Sequence, residues 1–300
     1  MDKGRPDWTS VNSYNWIPDL LNFLPMNLPA DYHSISLSYV IPMYFDQQNT
    51  DTLNDLLRMY ADYEPQLLDR LQFVLVDDCS PVPVSIPTDI NLNLLLLRVN
   101  EDIKWNQGGA RNLGVVYSRS DKVLATDIDH YFSGGTLKHV MGMPRLGKKI
   151  YRMRRKNIDG DYTKPHPNTF LMSRGRFIEL YGVDEEFSGF YGCEDGMFWR
   201  WQRYNGTRFR YLGNKYASLL RKVDRDKSYH ALERDTRHNT ELKNRKKEEW
   251  RQLGPWGGHS RQFLKFTWKI IEDRKRKGMT WQPPENRLWK KLWFVRQFYC

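Results

Sequence analysis

The segment from Lys122 to His130 reads Lys-Val-Leu-Ala-Thr-Asp-Ile-Asp-His. It begins as a short, mainly apolar run that is typical of a buried strand, and the carboxylates of Asp127 and Asp129 follow directly. Side chains two residues apart point the same way along a strand, so we expect these two carboxylates to converge. Carboxylate oxygens are the ligands that hard divalent cations prefer. We therefore predict a metal site here, the alternative being two solvated loop acids.

Three more strands are predicted from the sequence, at Ser34–Pro42, Leu71–Val76 and Leu92–Val99. The first alternates and ends at proline, and the other two are continuous apolar runs typical of buried parallel strands. Helical spacing of apolar residues predicts helices at Thr52–Tyr63 and Gln107–Ser118. This order predicts an α/β fold with a mostly parallel, doubly wound sheet that binds ligands at the carboxyl ends of its strands.

Composition and charge narrow the class of protein. The 300 residues are 40% hydrophobic and 14% aromatic, which is enough for a folded core. The net charge is +11, divided as −5 over residues 1–200 and +16 over residues 201–300. A basic C-terminal third predicts contact with phosphates of a nucleotide, a lipid headgroup or a nucleic acid. No secretory signal and no membrane span are expected, and three cysteines without metal-like spacing fit a reducing, cytoplasmic location.

The sequence suggests three regions. Residues 1–33 form an irregular lead-in, residues 34–240 the main domain, and residues 241–300 a basic, aromatic-rich helical extension with predicted helices at Thr240–Leu253 and Arg261–Lys277. The last 22 residues interleave tryptophans with Lys and Arg. This pattern suits peripheral contact with an anionic membrane, and it equally suits a helix that buries its aromatic side chains on the domain.

Two further motifs fall at positions where a parallel sheet places ligands. Asp77 and Asp78 follow the second strand, and since adjacent carboxylates point apart, we expect at most one to face a base or ribose while the other caps the turn. The alternative is that both only form the turn. Gly108, Gly109 and Arg111 open a helix, where small residues allow a ligand to approach backbone amides and the guanidinium adds a fixed charge. Simple packing is the alternative interpretation of the two glycines.

A second acidic pair, Glu194-Asp195, lies among aromatic residues and glycines. A carboxylate partly desolvated by aromatic neighbours suits a general base, and the alternative is a helix-terminal acid favoured by the dipole. His230 and His238 lie in a polar segment without a core period, and either is a candidate third metal ligand.

Five segments, in this order, resemble the inverting family-2 glycosyltransferases of the GT-A fold, including galactosyltransferase-like and chondroitin-polymerase-like members. They are Tyr39–Pro42, Val76–Ser80, Gly108–Asn112, Thr126–Asp129 and Gly192–Asp195. The resemblance covers about residues 34–240. It implies a UDP-sugar donor, a glycan acceptor, and Mn²⁺ or Mg²⁺ as cofactor. The membrane-binding interpretation of the C-terminal tail would make that acceptor lipid-linked.

The resemblance also implies roles for individual residues. Asp129 would bind the metal, Asp127 the ribose or the metal, and Asp78, with Asp77, the uracil. Asp195 would be the base that deprotonates the acceptor, with Glu194 binding that acceptor. The remaining implied contacts are Pro42, Gly108, Gly109 and Arg111 at the donor and His230 as third metal ligand. The alternatives are a non-catalytic glycan- or nucleotide-binding module of the same fold and, less favoured, a nucleic-acid-binding protein.

Overall fold

The structure, a computed structural model, describes residues 34–46, 51–223 and 230–279. Within these ranges the strands are β1 Leu37–Met43, β2 Leu71–Asp77, β3 Asn93–Val99, β4 Lys122–Ala125, β5 His130–Tyr131, β6 Lys149–Arg152, β7 Arg155–Lys156, β8 Tyr162–Thr163, β9 Phe170–Ser173, β10 Arg208–Tyr211, β11 Ser218–Leu220 and β12 Trp268–Arg274. The α-helices are α1 Asp51–Ala61, α2 Pro65–Leu68, α3 Gln107–Val116, α4 Gly134–Gly142, α5 Arg174–Glu179, α6 Glu194–Tyr204 and α7 Arg237–Leu253.

Eight strands form one large sheet in the order β10-β6-β9-β4-β1-β2-β3-β12. Its centre, from β4 through β1 and β2 to β3, is parallel throughout, and β9 and β12 join as antiparallel strands. Helices cover both faces. The predicted α/β fold with a mostly parallel sheet flanked by helices is therefore confirmed.

The first strand shows why this sheet lies in the middle of the molecule. All seven residues of β1 are buried. Tyr39 and Ile41 belong to an apolar cluster that includes residues of α1, while Val40 points to the other face and packs with Leu113 of α3. A strand buried on both faces usually reads as a continuous apolar run, but Ser38 interrupts this one, and it was predicted from its alternation and its proline instead. Gly114 lets α3 lie close to the sheet, since a Cβ there would approach Val40 Cγ1 to 2.4 Å.

A four-stranded second sheet, in the order β5-β11-β7-β8, was not predicted. Its strands have two or three residues each, too few for a readable pattern. This small sheet supports the turn that carries the two aspartates after β4. The backbone N–H of Arg221, after β11, donates to Asp129 O at 2.8 Å, and the Arg221 guanidinium donates to Ile128 O at 3.1 Å.

The C-terminal region differs from the prediction in part. The predicted helix at Thr240–Leu253 is present as α7, but the predicted helix at Arg261–Lys277 is wrong, because this segment is a loop followed by strand β12. The outer edge of β3 needs hydrogen-bond partners, and β12 supplies them with a bulge between Ile270 and Glu272. Arg274 then fixes the strand by donating to three backbone carbonyls of the loop before β3.

Two predictions concern residues outside the described ranges: the lead-in at 1–33 and the membrane-binding or packed tail at 280–300. The division into three regions also stays a prediction. Among the helices that the structure describes, none combines the length and apolarity that crossing a bilayer requires.

Candidate functional site

A pocket of about 360 Å³ opens at the carboxyl ends of β1, β2 and β4 and at the start of α6. It contains both predicted acidic pairs that follow Thr126 and Cys193, together with one member of the pair after β2. The lining residues with polar or charged side chains, or with predicted roles, include Pro42, Asp78, Asn106, Gln107, Asp127, Asp129, His166, Asn168, Glu194, Asp195, His230 and Arg234. Residues distant in sequence thus meet in one cavity.

Asp77 and Asp78 divide their roles. The Asp77 carboxylate caps the turn by accepting from Ser80 N at 2.8 Å, and it forms an ion pair with Arg98. Asp78 instead lines the pocket and accepts from Asn106 Nδ2 at 2.9 Å. Burial raises the pKa of Asp78 to about 7. One acid therefore builds the loop while its neighbour is available to a ligand.

Asp127 is surrounded by side chains that bind its carboxylate. Its Oδ1 accepts from Gln107 Nε2 at 2.9 Å and lies 3.6 Å from Arg111 Nη2. Its Oδ2 accepts from Asn168 Nδ2 at 3.0 Å and lies 3.5 Å from His166 Nδ1. With both oxygens held by the protein, Asp127 has a fixed orientation at the pocket wall.

Asp129 has a different environment. Its Oδ1 lies 2.5 Å from Nδ1 of His130, whose ring is fully buried beneath the turn. Both aspartates line the same pocket, but they lie in a turn after β4 rather than on the strand itself, so the alternation of a strand does not orient them. The buried His130 ring therefore fixes the orientation of the Asp129 carboxylate.

The carboxylates of Asp127 and Asp129 could supply two of the ligands of a hard divalent cation. Within residues 34–46, 51–223 and 230–279, no three His, Cys, Asp or Glu side chains are grouped so that they can hold a metal ion. Mg²⁺ and similar ions usually bind through one or two carboxylates, with the remaining ligands supplied by substrate phosphates and water. Asp127 and Asp129 match that requirement. A cation at this pocket would therefore need phosphate oxygens from the ligand to complete its shell.

Glu194 and Asp195 open α6 and line the pocket. Cys193 turns the chain into the helix with φ of 74°, a left-handed conformation that is uncommon outside glycine. Burial, and then repulsion from Glu194, raises the pKa of Asp195 to about 7, while Arg111 opposes that shift. Burial also raises the pKa of Glu194. Asp195 in this state exchanges its proton near neutral pH.

The helix start at Gly108 and Gly109 supports the packing interpretation. A Cβ on Gly108 would lie 2.7 Å from Val183, and one on Gly109 would lie 2.7 Å from Phe266, so both glycines allow close contact with protein side chains. Neither glycine lines the pocket. Arg111 lies behind the pocket wall, only 2% exposed, with Nε and Nη2 lacking hydrogen-bond partners among the described residues. It contributes positive charge behind Asp127.

The two candidate histidines occupy different places. The His230 ring packs edge-on against Trp105, with 4.5 Å between centroids, and lines the pocket. Trp105 also contacts Tyr191 at 4.5 Å, which gives the pocket an aromatic wall. His238 stacks on Phe190 at 3.7 Å and does not line the pocket. The structure thus favours His230 over His238 for contact with a ligand, and its role as a metal ligand stays a prediction.

Sequence reasoning missed the polar residues that hold the acids. Asn106 and Gln107 immediately precede the Gly-Gly motif, a position where an amide at a helix start is a weak signal. His166 and Asn168 precede β9, and they reach Asp127 because β9 pairs antiparallel with β4. No local sequence pattern predicts that strand pairing, so the contact of these two residues with Asp127 could be found only from the structure.

Comparisons with known proteins give weak similarities. No protein-family profile matches the chain, and a search of curated proteins found no match. Staphylococcus aureus TarS 1–349 in complex with UDP-GlcNAc is 18% identical with a TM-score of 0.47, and the alignment covers 65% of this chain and 61% of that one. The mannosyltransferase PcManGT from Pyrobaculum calidifontis in complex with GDP-Man and Mn²⁺ is 17% identical with a TM-score of 0.46, covering 64% and 58%.

A third solved structure aligns over more of the chain. The catalytic domain of Drosophila β1,4-galactosyltransferase 7 in complex with xylobiose is 11% identical with a TM-score of 0.47, covering 79% of this chain and 86% of that one. The chain spans about three fifths of the length of the first two structures. At these identities and TM-scores we assign neither a fold family nor an activity, so the functional argument rests on the pocket.

Proposed function

We propose that this chain is an inverting glycosyltransferase of the GT-A fold, which moves a hexose or N-acetylhexosamine from a UDP-sugar to a hydroxyl of a glycan acceptor. The observation that carries the proposal is the convergence of Asp78, Asp127, Asp129 and Asp195 on one pocket at the carboxyl ends of parallel strands. These four acids come from three separate motifs of the family resemblance, since Asp127 and Asp129 share one. A binding module has no need for a carboxylate poised to accept a proton, so Asp195 favours an enzyme.

The proposed reaction is a single displacement. Asp195 accepts the proton of the acceptor hydroxyl while that oxygen forms a bond to the anomeric carbon of the donor sugar. The bond between this carbon and the diphosphate oxygen breaks, and UDP leaves with the electron pair. A base acts best with a pKa near the working pH, and the pKa of Asp195 is raised to about 7. In this scheme Glu194 binds the acceptor and Asp78 binds the uracil.

A Mn²⁺ or Mg²⁺ ion would supply counter-charge to the diphosphate as it departs. Asp129, together with Asp127, would hold that ion, and His130 keeps Asp129 oriented from below. Asp127 is fixed by Gln107 and Asn168, so it can alternatively bind the ribose without rearrangement.

A thermal-shift screen of UDP- and GDP-sugars with and without Mn²⁺ tests the proposal, followed by measurement of donor hydrolysis. A ligand at 100 times its Kd stabilises a protein by about 2.7 kcal/mol, which is readily detected as a rise in melting temperature. We expect a UDP-sugar to stabilise the protein only with Mn²⁺ and to be hydrolysed slowly. If no nucleotide sugar changes the melting temperature, the proposal fails. Stabilisation without hydrolysis or transfer to any glycan would instead identify a non-catalytic binding module.

A further inference from the structure

A strongly basic surface lies along one edge of the large sheet, outside the pocket. Seven of the twelve residues from 145 to 156 are Lys or Arg, and no Asp or Glu occurs from 141 to 158. A second stretch, residues 196–223, contains seven Lys or Arg and again no acid. These stretches include β6 and β10, which pair in parallel, so the sheet brings the two sets of cations together. We call this surface the cationic edge and define it by Lys148, Lys149, Arg152, Arg203, Arg208 and Arg210.

Carboxylates do not balance these cations within the part of the chain that the structure describes. None of the six side chains forms an ion pair there, and Lys148, Arg203, Arg208 and Arg210 are exposed. Some other surface cations are paired, as Arg119 is with Asp273 at 2.5 Å. Like charges held close together repel and reduce stability, whereas an external anion relieves that repulsion. The surface is therefore electrostatically complementary to a polyanion.

Aromatic rings alternate with these cations. The Arg152 guanidinium lies 4.8 Å from the ring centroid of Trp199 and 6.0 Å from that of Tyr211. Arg203 lies 4.9 Å from the ring of Phe209. Tyr211 is 62% exposed, so its ring is available to a ligand. A surface of flat rings and cations offers apolar contact to sugar rings and charge-assisted hydrogen bonds to the anionic groups they carry.

This edge is continuous with the pocket. The Trp199 ring contacts the Arg152 guanidinium, and its Nε1 donates a hydrogen bond to the carbonyl of Pro167 at 3.1 Å. Pro167 and its neighbour His166 line the pocket. The path from pocket rim to sheet edge therefore runs through directly contacting residues. A bound chain can follow it from the proposed catalytic acids to Arg208 and Arg210 on the edge strand.

We propose that the cationic edge is an acceptor subsite for a polyanionic glycan chain, which lies along β6 and β10 while one of its hydroxyls enters the pocket. This inference rests on the proposed function and specifies its acceptor class. A chain fits better than a flat bilayer, because the cationic edge follows the outermost strands of the sheet and is joined to the pocket through Trp199 and Pro167.

Binding of a fluorescent heparin oligosaccharide, measured by anisotropy at low salt, tests the inference with Arg208→Gln/Arg210→Gln. The matched control is Lys265→Gln/Lys269→Gln, which removes two exposed charges near and on β12, at the opposite edge of the same sheet. We expect the arginine variant to bind roughly tenfold more weakly, with a shallower salt dependence, because fewer counterions are released. We expect the control to bind within about twofold of wild type. A desulfated oligosaccharide should bind far more weakly to all three proteins.

Several outcomes would overturn the inference. Equal loss in both double variants would show that only net charge matters. Single-stranded DNA that binds as tightly through the same arginines would identify a nucleic-acid surface, and phosphatidylserine vesicles that bind while the oligosaccharide does not would identify a membrane surface. Donor hydrolysis is measured in the same preparations and should be equal in all three. Unchanged heparin binding by the arginine variant, with normal donor hydrolysis, rejects the acceptor subsite but not the proposed function. Absence of donor hydrolysis in every protein rejects the proposed function.

Discussion

The pocket and the cationic edge both concentrate charged groups, but the pocket groups are largely buried and the edge groups are exposed. In the pocket, burial raises the pKa values of Asp78 and Asp195 to about 7, so these groups exchange protons near neutral pH. At the edge, Arg208 and Arg210 are exposed, and water and salt screen their charge. Buried carboxylates can take part in proton transfer because burial brings their pKa values close to neutral pH. Exposed cations keep their charge and are suited to attracting and orienting a partner.

The largest expected effect on ligand binding comes from removing the proposed cation ligand Asp129 from the pocket. Asp129→Ala should weaken Mn²⁺-dependent binding of the UDP-sugar by at least about 100-fold, because the diphosphate loses its counter-charge. Isothermal titration with and without Mn²⁺ measures this loss. Asp159→Ala, on the exposed turn between β7 and β8, is the control and should bind normally. Retained Mn²⁺ dependence in Asp129→Ala would remove Asp129 as a ligand.

A smaller effect is expected at the aromatic wall. His230→Phe should lower Mn²⁺ affinity about 10- to 100-fold, because phenylalanine keeps the ring against Trp105 but has no ligand nitrogen. Mn²⁺ titration of donor binding provides the measurement. His238→Phe is the matched control, since His238 stacks on Phe190 outside the pocket lining. If the control loses affinity and His230→Phe does not, the choice between the two histidines is wrong.

Salt should weaken ligand binding at the cationic edge much more than in the pocket. Raising NaCl from about 50 to 200 mM should weaken heparin binding at the cationic edge roughly tenfold or more, since each released counterion adds to the dependence. Donor binding should fall only a few-fold, because partly buried charges are screened less. Both affinities are measured on one preparation. Equal salt dependence would mean that the donor also binds at an exposed surface.

The smallest effect concerns stability and pH. Because burial raises the pKa of Asp195 from its usual range near 3.9 to about 7, the folded protein keeps a proton that the unfolded chain has released between these pH values. This group therefore reduces stability progressively as pH rises from 4 to 7. Asp195→Asn does not titrate, so its melting temperature should exceed that of wild type by several degrees at pH 8 and by much less at pH 4.5.

Differential scanning calorimetry at the two pH values checks this expectation, with a shift of about 2–4 °C per kcal/mol for domains of 150–250 residues. Glu241→Gln on α7 is exposed and serves as the control, with no expected pH-dependent gain. A constant difference between Asp195→Asn and wild type at both pH values would show that Asp195 does not titrate in this window.

Local patterns were sufficient for the parts of the fold that are buried on both faces. The mainly apolar runs that became β2, β3 and β4 were readable because central parallel strands are buried on both faces, and β1 was readable from its alternation and its proline. The same logic located the acids, since each pair directly follows an apolar run or opens a helix. It also anticipated that Asp77 and Asp78 would separate, with Asp77 capping the turn and Asp78 lining the pocket.

Features that depend on distant pairing were beyond local patterns. The segment that became β12 carries charges at helical spacing, and only the open edge of β3 makes it a strand. His166 and Asn168 reach Asp127 through the antiparallel pairing of β9 with β4. The cationic edge likewise exists because β6 and β10, separated by more than fifty residues, are neighbours. Its basic residues were counted in the sequence, but their shared surface was not visible there.

The most direct test of the account is the comparison of turnover and donor affinity in Asp195→Asn. The substitution keeps the size of the side chain and removes its ability to accept a proton. We predict that kcat falls roughly 10²- to 10⁴-fold, as expected for loss of a general base, while the Kd for the UDP-sugar with Mn²⁺ stays within about threefold of wild type. Turnover that matches wild type would contradict the account, because the pocket would then hold no base at Asp195.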